Sequence, residues 1–255
     1  MPRTWMLGTL GTITVFALAE LLFLSGVIES EYLPSPLEVL FTAFGLIGDS
    51  AFLTDVGSTV AGWSLALLLG GSLAIPAGVV LALSSRSYSL FSPLVAALRP
   101  IPAVALIPLA VLVWGSGLDM KIYLTTFAVV WPILINTMYG VREVDPVARE
   151  TAAVFGLGRW AILTRVVLPS AGPLLMTGFR VAVSLGLVVI VGVELFAGAT
   201  DGIGSFVLLA SYGGGDLDRV IAGAVWAGAL GVLGNGLFSA LDSRLFAWAR
   251  RGVVS

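Results

Sequence analysis

The sequence predicts an all-α membrane protein, and three observations support that fold class. Of its 255 residues, 58% are hydrophobic and 11% are charged, whereas soluble domains carry about 25% charged residues. The mean hydropathy is +1.04. Long apolar segments follow one another along the chain, each close to the roughly 20 residues that a helix needs to cross a bilayer. We therefore expect one domain over residues 1–255, with six transmembrane helices and one cytoplasmic helix-turn-helix.

The six predicted spans differ mainly in their small residues and prolines. Small residues recur at every fourth position of the second and sixth spans, which lets neighbouring helices approach closely. The third span contains four prolines, and we expect it to be broken near Arg99–Pro102. Residues 84–92 and 200–218 are predicted as loops. The spans cover residues 5–28, 56–83, 93–114, 121–140, 176–199 and 219–241.

The N-terminal region carries two features with alternative interpretations. Ala17–Ala19 is similar to a signal-peptide cleavage site, but the apolar run continues past it and favours a retained first helix.

Ser35–Glu38 has the spacing of a capping box, with Pro36 at the first helical position. It predicts a helix that lies at the membrane surface, the alternative being an ordinary loop helix. Its apolar face consists of Leu37, Leu40, Phe41 and Phe44.

Basic residues are distributed unequally between the two sides of the six-span scheme. Loops rich in Lys and Arg stay in the cytoplasm. Only Lys121 and Arg219 fall on one side. The opposite side, with both chain termini, is therefore predicted to be cytoplasmic. It carries Arg3, Arg86, Arg99, Arg142, Arg149, Arg159, Arg165, Arg180, Arg244, Arg250 and Arg251.

The polar segment 145–173 on that side predicts a helix-turn-helix. Asp145 is suited to cap the first helix, and Pro146 suits its first position, where a missing N–H has no consequence. Glycine accepts the left-handed backbone at a helix end, so Gly156 is predicted to end this helix. A second helix then begins at Arg159.

Two prolines follow this second helix. Pro169 and Pro173 lack the N–H group that a helix interior needs. We therefore predict that the second helix does not continue unbroken into the fifth span, which is expected to start at residue 176.

Residue types exclude several kinds of chemistry. The chain has no Cys and no His, which excludes disulfides and zinc or haem sites built on those ligands. A phosphate-binding P-loop needs a lysine in G-x-x-x-x-G-K-[ST], and no such motif surrounds Lys121, the only lysine. Any ATP would therefore be bound by a partner. A net charge of −2 argues against a nucleic-acid partner.

Four polar side chains lie inside predicted spans, where lipid would not tolerate them unpaired. Asn136 and Glu194 are candidates for lining a passage through the membrane or its gate. The alternative is that such groups bond to neighbouring helices and fix packing, and it is favoured for Asn136 and Asn235. Glu20 is expected to face a neighbouring helix or the membrane interface.

Residues 150–169 resemble the "EAA" loop of membrane subunits of ATP-binding-cassette (ABC) importers. Glu150 is followed by small residues, by Gly156 six positions later, and then by Leu168-Pro169. Thr151 and Val166 depart from the strict pattern by conservative changes. Further segments resemble the sulfonate, taurine and nitrate branch of these permeases, namely Leu33–Pro36, Leu98–Ala103, Pro108, Trp114-Gly115, Asn136-Thr137, Glu194 and Gly202–Gly204.

The resemblance implies a set of partners. The chain would work as a homodimer in a bacterial or archaeal plasma membrane, with an extracytoplasmic solute-binding protein. Two cytoplasmic ATPase subunits would hold ATP and Mg²⁺, so this chain would not itself be an enzyme. The residues implied in coupling to the ATPase are Glu150, Ala152, Ala153, Gly156, Arg159, Leu168 and Pro169.

The sequence leaves alternatives for the transported solute and for the class of protein. The branch implies a sulfonate, taurine or nitrate, but permeases for pyrimidine-type or riboflavin-type vitamin precursors have similar sequences. An ion-coupled secondary transporter is disfavoured by the lack of internal repeats. A membrane-embedded hydrolase is disfavoured by the lack of His, Cys and metal-binding clusters.

Overall fold

A computed structural model describes residues 2–26, 33–198, 201–212 and 216–248, and this part of the chain is all-α, as predicted. The ends of the spans predicted at 5–28 and 176–199 lie outside the described residues, as do Arg250 and Arg251. The helices are α1 (Pro2–Leu24), α2 (Pro36–Gly45), α3 (Ser50–Leu83), α4 (Ser85–Leu98), α5 (Ile107–Trp114), α6 (Leu118–Arg142), α7 (Pro146–Val154), α8 (Arg159–Ile162), α9 (Leu168–Ala197), α10 (Ile203–Tyr212) and α11 (Leu217–Leu245).

Helices α3, α6 and α9 form the core, because small residues let their backbones approach closely. A Cβ added to Gly70 of α3 would lie 2.6 Å from Val129 Cγ2 of α6. A Cβ added to Gly178 of α9 would lie 2.8 Å from Asn136 Cβ of α6. The close packing predicted from the small residues of the second span is confirmed, since Ala66, Gly70, Ala74 and Gly78 are all buried.

Among the described residues, four helices are long and apolar enough to cross a membrane: α3, α6, the helix from Arg159 to Ala197, and α11. The predicted break in the third span is confirmed, because α4 and the segment Ala103–Trp114 meet at an angle of 79°. That pair counts as a fifth span if it crosses as one unit. The described apolar stretch of α1, Leu10–Leu24, is shorter. The count of six spans stays a prediction.

Two segments predicted as loops are largely helical. Residues 85–92 belong to α4, which Ser84 caps by accepting a hydrogen bond from Ser87 N at 3.2 Å. The serines that suggested a loop therefore start a helix. Within 200–218, α10 forms because it can bury Phe206, whose ring centroid lies 4.7 Å from that of Phe52.

The prediction that Pro169 and Pro173 keep the second helix from continuing into the fifth span is wrong. The helix that begins at Arg159 continues to Ala197 through a π-helical turn at Leu163–Val167. In this wide turn Leu168 N donates to Leu163 O, so the hydrogen-bond register changes just before Pro169. Pro169 then occupies the first turn of α9, where a missing N–H is tolerated.

The helix predicted near Ser35 is present as α2. Glu38 N donates to Ser35 Oγ at 3.0 Å, and Phe41 and Phe44 are exposed on its apolar face. As expected, Glu20 faces a neighbouring helix, because its Oε2 accepts from Leu37 N at 3.2 Å. The opposite face of α2 packs on α11, where Trp226 donates to Ala43 O at 2.9 Å.

Candidate functional site

The predicted helix-turn-helix forms a hairpin of α7 and α8, and its turn is defined by main-chain hydrogen bonds. Asp145 caps α7 by accepting from Val147 N at 2.9 Å. Gly156 N donates to Ala153 O at 3.0 Å, and Leu157 N donates to Ala152 O at 3.1 Å. These two bonds form a Schellman motif, which requires a left-handed residue. Gly156 supplies it with φ +81°.

Two contacts connect this hairpin firmly to the long helices. The Arg149 guanidinium of α7 donates to the Val141 carbonyl oxygen near the end of α6. Ile162 and Leu163, where α8 meets the π turn, pack against a buried cluster that contains Val141 and Val167. The hairpin is therefore attached to both α6 and α9.

The residues predicted to contact an ATPase fall into two groups. Four of them are exposed on the hairpin, namely Glu150, Ala153, Gly156 and Arg159, while Ala152 is half-buried beside them. Leu168 and Pro169 lie apart from the turn, as the first two residues of α9. The role in ATPase coupling that the resemblance implies for them stays a prediction.

The structure adds apolar residues that the sequence-based selection omitted. Val154, Phe155 and Trp160 are 87%, 79% and 76% exposed around Gly156. We call these four residues the hairpin patch. The sequence does carry a signal for this surface, because Val147, Val154 and Phe155 stand at i, i+7 and i+8, the spacing of one helix face. Contiguous exposed apolar groups mark a surface that another molecule covers.

A second polar site lies within the helix bundle, around Glu194 of α9. Glu194 and Lys121 of α6 are 0% and 2% exposed, and Lys121 Nζ lies 2.9 Å from Glu194 Oε1. Lys121 also donates to Ser58 Oγ at 2.8 Å. The Glu194 carboxylate accepts further bonds from the Thr59 hydroxyl at 2.9 Å and from Gly204 N at 3.1 Å.

The segment before α10 is shaped to fit this carboxylate. Gly202 has φ +131°, and a Cβ there would lie 2.2 Å from Glu194 Cδ. Its N–H donates to Asp55 Oδ1 at 2.8 Å. The next N–H, that of Ile203, donates to Thr59 Oγ1 at 2.9 Å. The buried site therefore joins α3, α6, α9 and α10.

Each of the two pathway candidates has hydrogen-bond partners within the chain, and for Asn136 this agrees with the packing role that the sequence favoured. Glu194 is enclosed by its partners, and Lys121 was missed because its partner is distant in the sequence. Asn136 is half-buried, donates to Pro132 O of its own helix at 2.8 Å, and packs against Gly178. Both side chains have packing roles in this arrangement, and a role in the solute pathway stays a prediction.

The fold and its exposed hairpin define a polytopic α-helical membrane protein. Residues 74–247 match the family described as binding-protein-dependent transport system inner membrane component. The match spans most of the chain, and the chain belongs to this family.

Proteins of similar sequence are transport permeases, and their names give different solutes. The chain is 30% identical to the taurine transport system permease protein TauC of Escherichia coli, over 96% of this chain and 92% of the relative. It is 27% identical to the putative aliphatic sulfonates transport permease protein SsuC of Bacillus subtilis, over 96% and 88%. It is 31% identical to the bicarbonate transport system permease protein CmpB of Synechococcus elongatus, over 76% and 65%.

A solved structure supports the fold. The chain is similar to a chain of the MetNI methionine ABC transporter, with a TM-score of 0.66 and 20% identity over 76% of this chain and 95% of that one. At this identity the likeness concerns the arrangement of helices.

Proposed function

We propose that this chain is the permease subunit of an ABC importer and forms the pathway for a small anion such as a sulfonate, taurine or nitrate. ATP and Mg²⁺ bind to separate ATPase subunits. The observation that carries the proposal is the hairpin patch, in which Val154, Phe155 and Trp160 are exposed beside a left-handed glycine. A family of transport permeases offers a ready explanation for such a patch: it seats in a cleft of the ATPase.

The mechanism that we propose is alternating access driven by closure of the ATPase pair. The hairpin moves with the ATPase surface that holds it. Because α8 continues through the π turn into α9, a displacement at Trp160 is carried along one helix as far as Ala197. The bond from Arg149 to the Val141 carbonyl links the same hairpin to α6. Two core helices therefore receive the motion together.

We infer an assembly of two copies of this chain, two ATPase subunits and an extracytoplasmic solute-binding protein. In the most apolar stretch of α11 only 11% of residues are buried within the chain, against 39–56% in the other three long helices. A second copy would cover such a helix. Eleven of the thirteen basic residues lie on the hairpin's side of the six-span scheme. This distribution favours a cytoplasmic hairpin and cytoplasmic termini in a bacterial or archaeal plasma membrane.

The solute class rests on the names of the relatives. Taurine and aliphatic sulfonates occur among them, and bicarbonate widens the range to other small oxyanions. Permeases for pyrimidine-type or riboflavin-type vitamin precursors are the alternative. A screen of ligands for the partner binding protein distinguishes these solutes.

Co-purification tests the proposal. Expressed with its ATPase, the chain is expected to form a two-plus-two complex, measured by light scattering. The chain alone is expected to hydrolyse no ATP. Phe155→Glu places a charge in the hairpin patch and is expected to abolish ATPase association, whereas Phe155→Tyr keeps the ring and retains it. ATP hydrolysis by the isolated chain, or unchanged association of Phe155→Glu, would contradict the proposal.

A further inference from the structure

A polar seam runs along the line where α9 meets α11. Asn235 Nδ2 of α11 donates to Ser184 Oγ of α9 at 2.8 Å; Ser184 is exposed and Asn235 is half-buried. Further along the same two helices, Arg180 Nη2 lies 3.1 Å from Asp242 Oδ2. The Arg180 side chain is 47% exposed. We use the name polar seam for these four residues.

The depth of the polar seam excludes an ordinary lipid contact. Ser184 lies 13 residues before Ala197, the end of α9, which corresponds to about 20 Å at 1.5 Å per residue. With a hydrocarbon core about 30 Å thick, this position falls within the membrane. Open polar groups at such depth face a water-filled cavity or another protein chain. At Ser184 and Asn235 the polar seam therefore borders something other than acyl chains.

The hydrogen-bonding state of the polar seam indicates which ligand would fit. Ser184 Oγ accepts from Asn235, so its own hydrogen remains available to donate. Asn235 uses one amide hydrogen on Ser184 and has a second one. The Arg180 guanidinium makes one bond to Asp242 and has five N–H donors in all. The polar seam thus offers hydroxyl, amide and guanidinium donors beside one carboxylate, that of Asp242, which already accepts from Arg180. The donors that remain unused suit an oxyanion.

We propose that the polar seam lines the solute pathway and contacts the oxyanion group of the solute during passage. This inference rests on the proposed function and adds a site to it. It differs from the sequence-based expectation, which favoured Asn235 as a packing residue. It also differs from Asn136, whose amide bonds to its own helix.

Cysteine accessibility provides the test, since the natural chain contains no cysteine. Ser184→Cys is introduced into the complete transporter in membranes. The cysteine is treated with 2-sulfonatoethyl or 2-trimethylammonioethyl methanethiosulfonate, which carry a negative and a positive charge. Each rate of cysteine modification is divided by the rate at which the same reagent modifies a small free thiol, so that the intrinsic reactivities of the reagents cancel. We expect reaction with both reagents and a several-fold preference for the sulfonate. The control is Leu68→Cys on α3, an exposed apolar position that is expected to resist both reagents.

A second variant tests the charge. Arg180→Gln in the Ser184→Cys background is expected to lower the normalised sulfonate preference several-fold, while Ser184→Cys remains reactive. Asn235→Cys repeats the test on α11 and covers the case in which Ser184→Cys assembles poorly. Suppose that the cysteines at both positions are unreactive in a complex that still binds and stimulates its ATPase. That result would overturn the assignment of the polar seam to the solute pathway and leave the proposed function standing. A preference for the cationic reagent would overturn the oxyanion assignment.

Discussion

At the scale of single residues, Lys121 and Glu194 depend on each other. Each is buried in a protein interior, where an isolated charge has a free-energy cost that neutral groups do not have. Their pairing is supported by Ser58, Thr59 and Gly204, which complete the hydrogen bonds of both groups. Loss of one partner leaves the other charged and buried, so single and paired substitutions have different consequences.

Lys121→Met is expected to lower the free energy of unfolding by about 3–5 kcal/mol, because it leaves the Glu194 carboxylate buried without its cation. The double variant Lys121→Met/Glu194→Gln removes both charges and should recover a large part of that loss. Unfolding of the purified protein in a denaturing detergent measures both values. Together with the single variant Glu194→Gln, these proteins form a double-mutant cycle, which gives the interaction energy between the two side chains.

Arg219→Gln is the matched control for this cycle. Arg219 pairs with Asp49 at 3.4 Å, but both side chains are well exposed, at 42% and 37%. An exposed pair contributes about 0–1 kcal/mol, so little destabilisation is expected. Equal losses for Arg219→Gln and Lys121→Met would contradict the view that burial makes the inner pair important.

The buried site also marks a limit of sequence reasoning. Glu194 stands out because it is a carboxylate within an apolar run. Lys121 lies 73 positions away in the sequence and at the edge of a predicted span, where a lysine is ordinary. Only the packing of α6 against α9 brings the two together. Gly202 could not be identified from the sequence either. A side chain is excluded at this position because the Glu194 carboxyl group lies against it.

At the scale of helices, local signals predicted the hairpin well. The Asp145 cap, Pro146 at the first position and the left-handed Gly156 all depend on residues within a few positions of one another. The π turn was not predictable in this way. Its wide hydrogen bond lets the helix pass Pro169, and the packing of Leu163 and Val167 in the core stabilises that arrangement.

Gly156→Val is expected to abolish transport while leaving membrane levels normal. No atom outside its chain neighbours lies within 4 Å of the added Cβ, so the effect within the chain comes from the backbone, which has φ +81°. A β-branched residue there costs about 1–2 kcal/mol and would open the Schellman turn. Transport, and ATPase stimulation by loaded binding protein, are the measurements.

Gly158→Val provides the control, because it adds the same side chain two residues further along. Gly158 has φ −69° and ψ 161°, a conformation that valine adopts readily, and its Cβ would also meet open space. It should retain ATPase association. Wild-type transport by Gly156→Val would mean that this turn is not the coupling element.

At the scale of the whole molecule, α6 separates the two sites. Lys121 lies near the start of this helix, and Val141, which accepts the bond from Arg149, lies near its end. Twenty residues of helix correspond to about 30 Å, which is the thickness of the hydrocarbon core. The hairpin and the buried ion pair are therefore expected near opposite faces of the membrane. Since α3, α6 and α9 are tightly packed between them, a displacement of the hairpin is expected to move the core as a unit.

This arrangement predicts the topology of the chain. Single cysteines are introduced at Ser50, the exposed first residue of α3, and at Trp160 in the hairpin patch. In intact cells, a membrane-impermeant maleimide is expected to label Ser50→Cys, whereas Trp160→Cys should react only after permeabilisation. The reason is that the basic residues lie on the side of Trp160, and such segments stay in the cytoplasm. Ala66→Cys, buried in the core, should resist labelling under both conditions. Labelling of Trp160→Cys from outside would invert the orientation and remove the hairpin from the reach of a cytoplasmic ATPase.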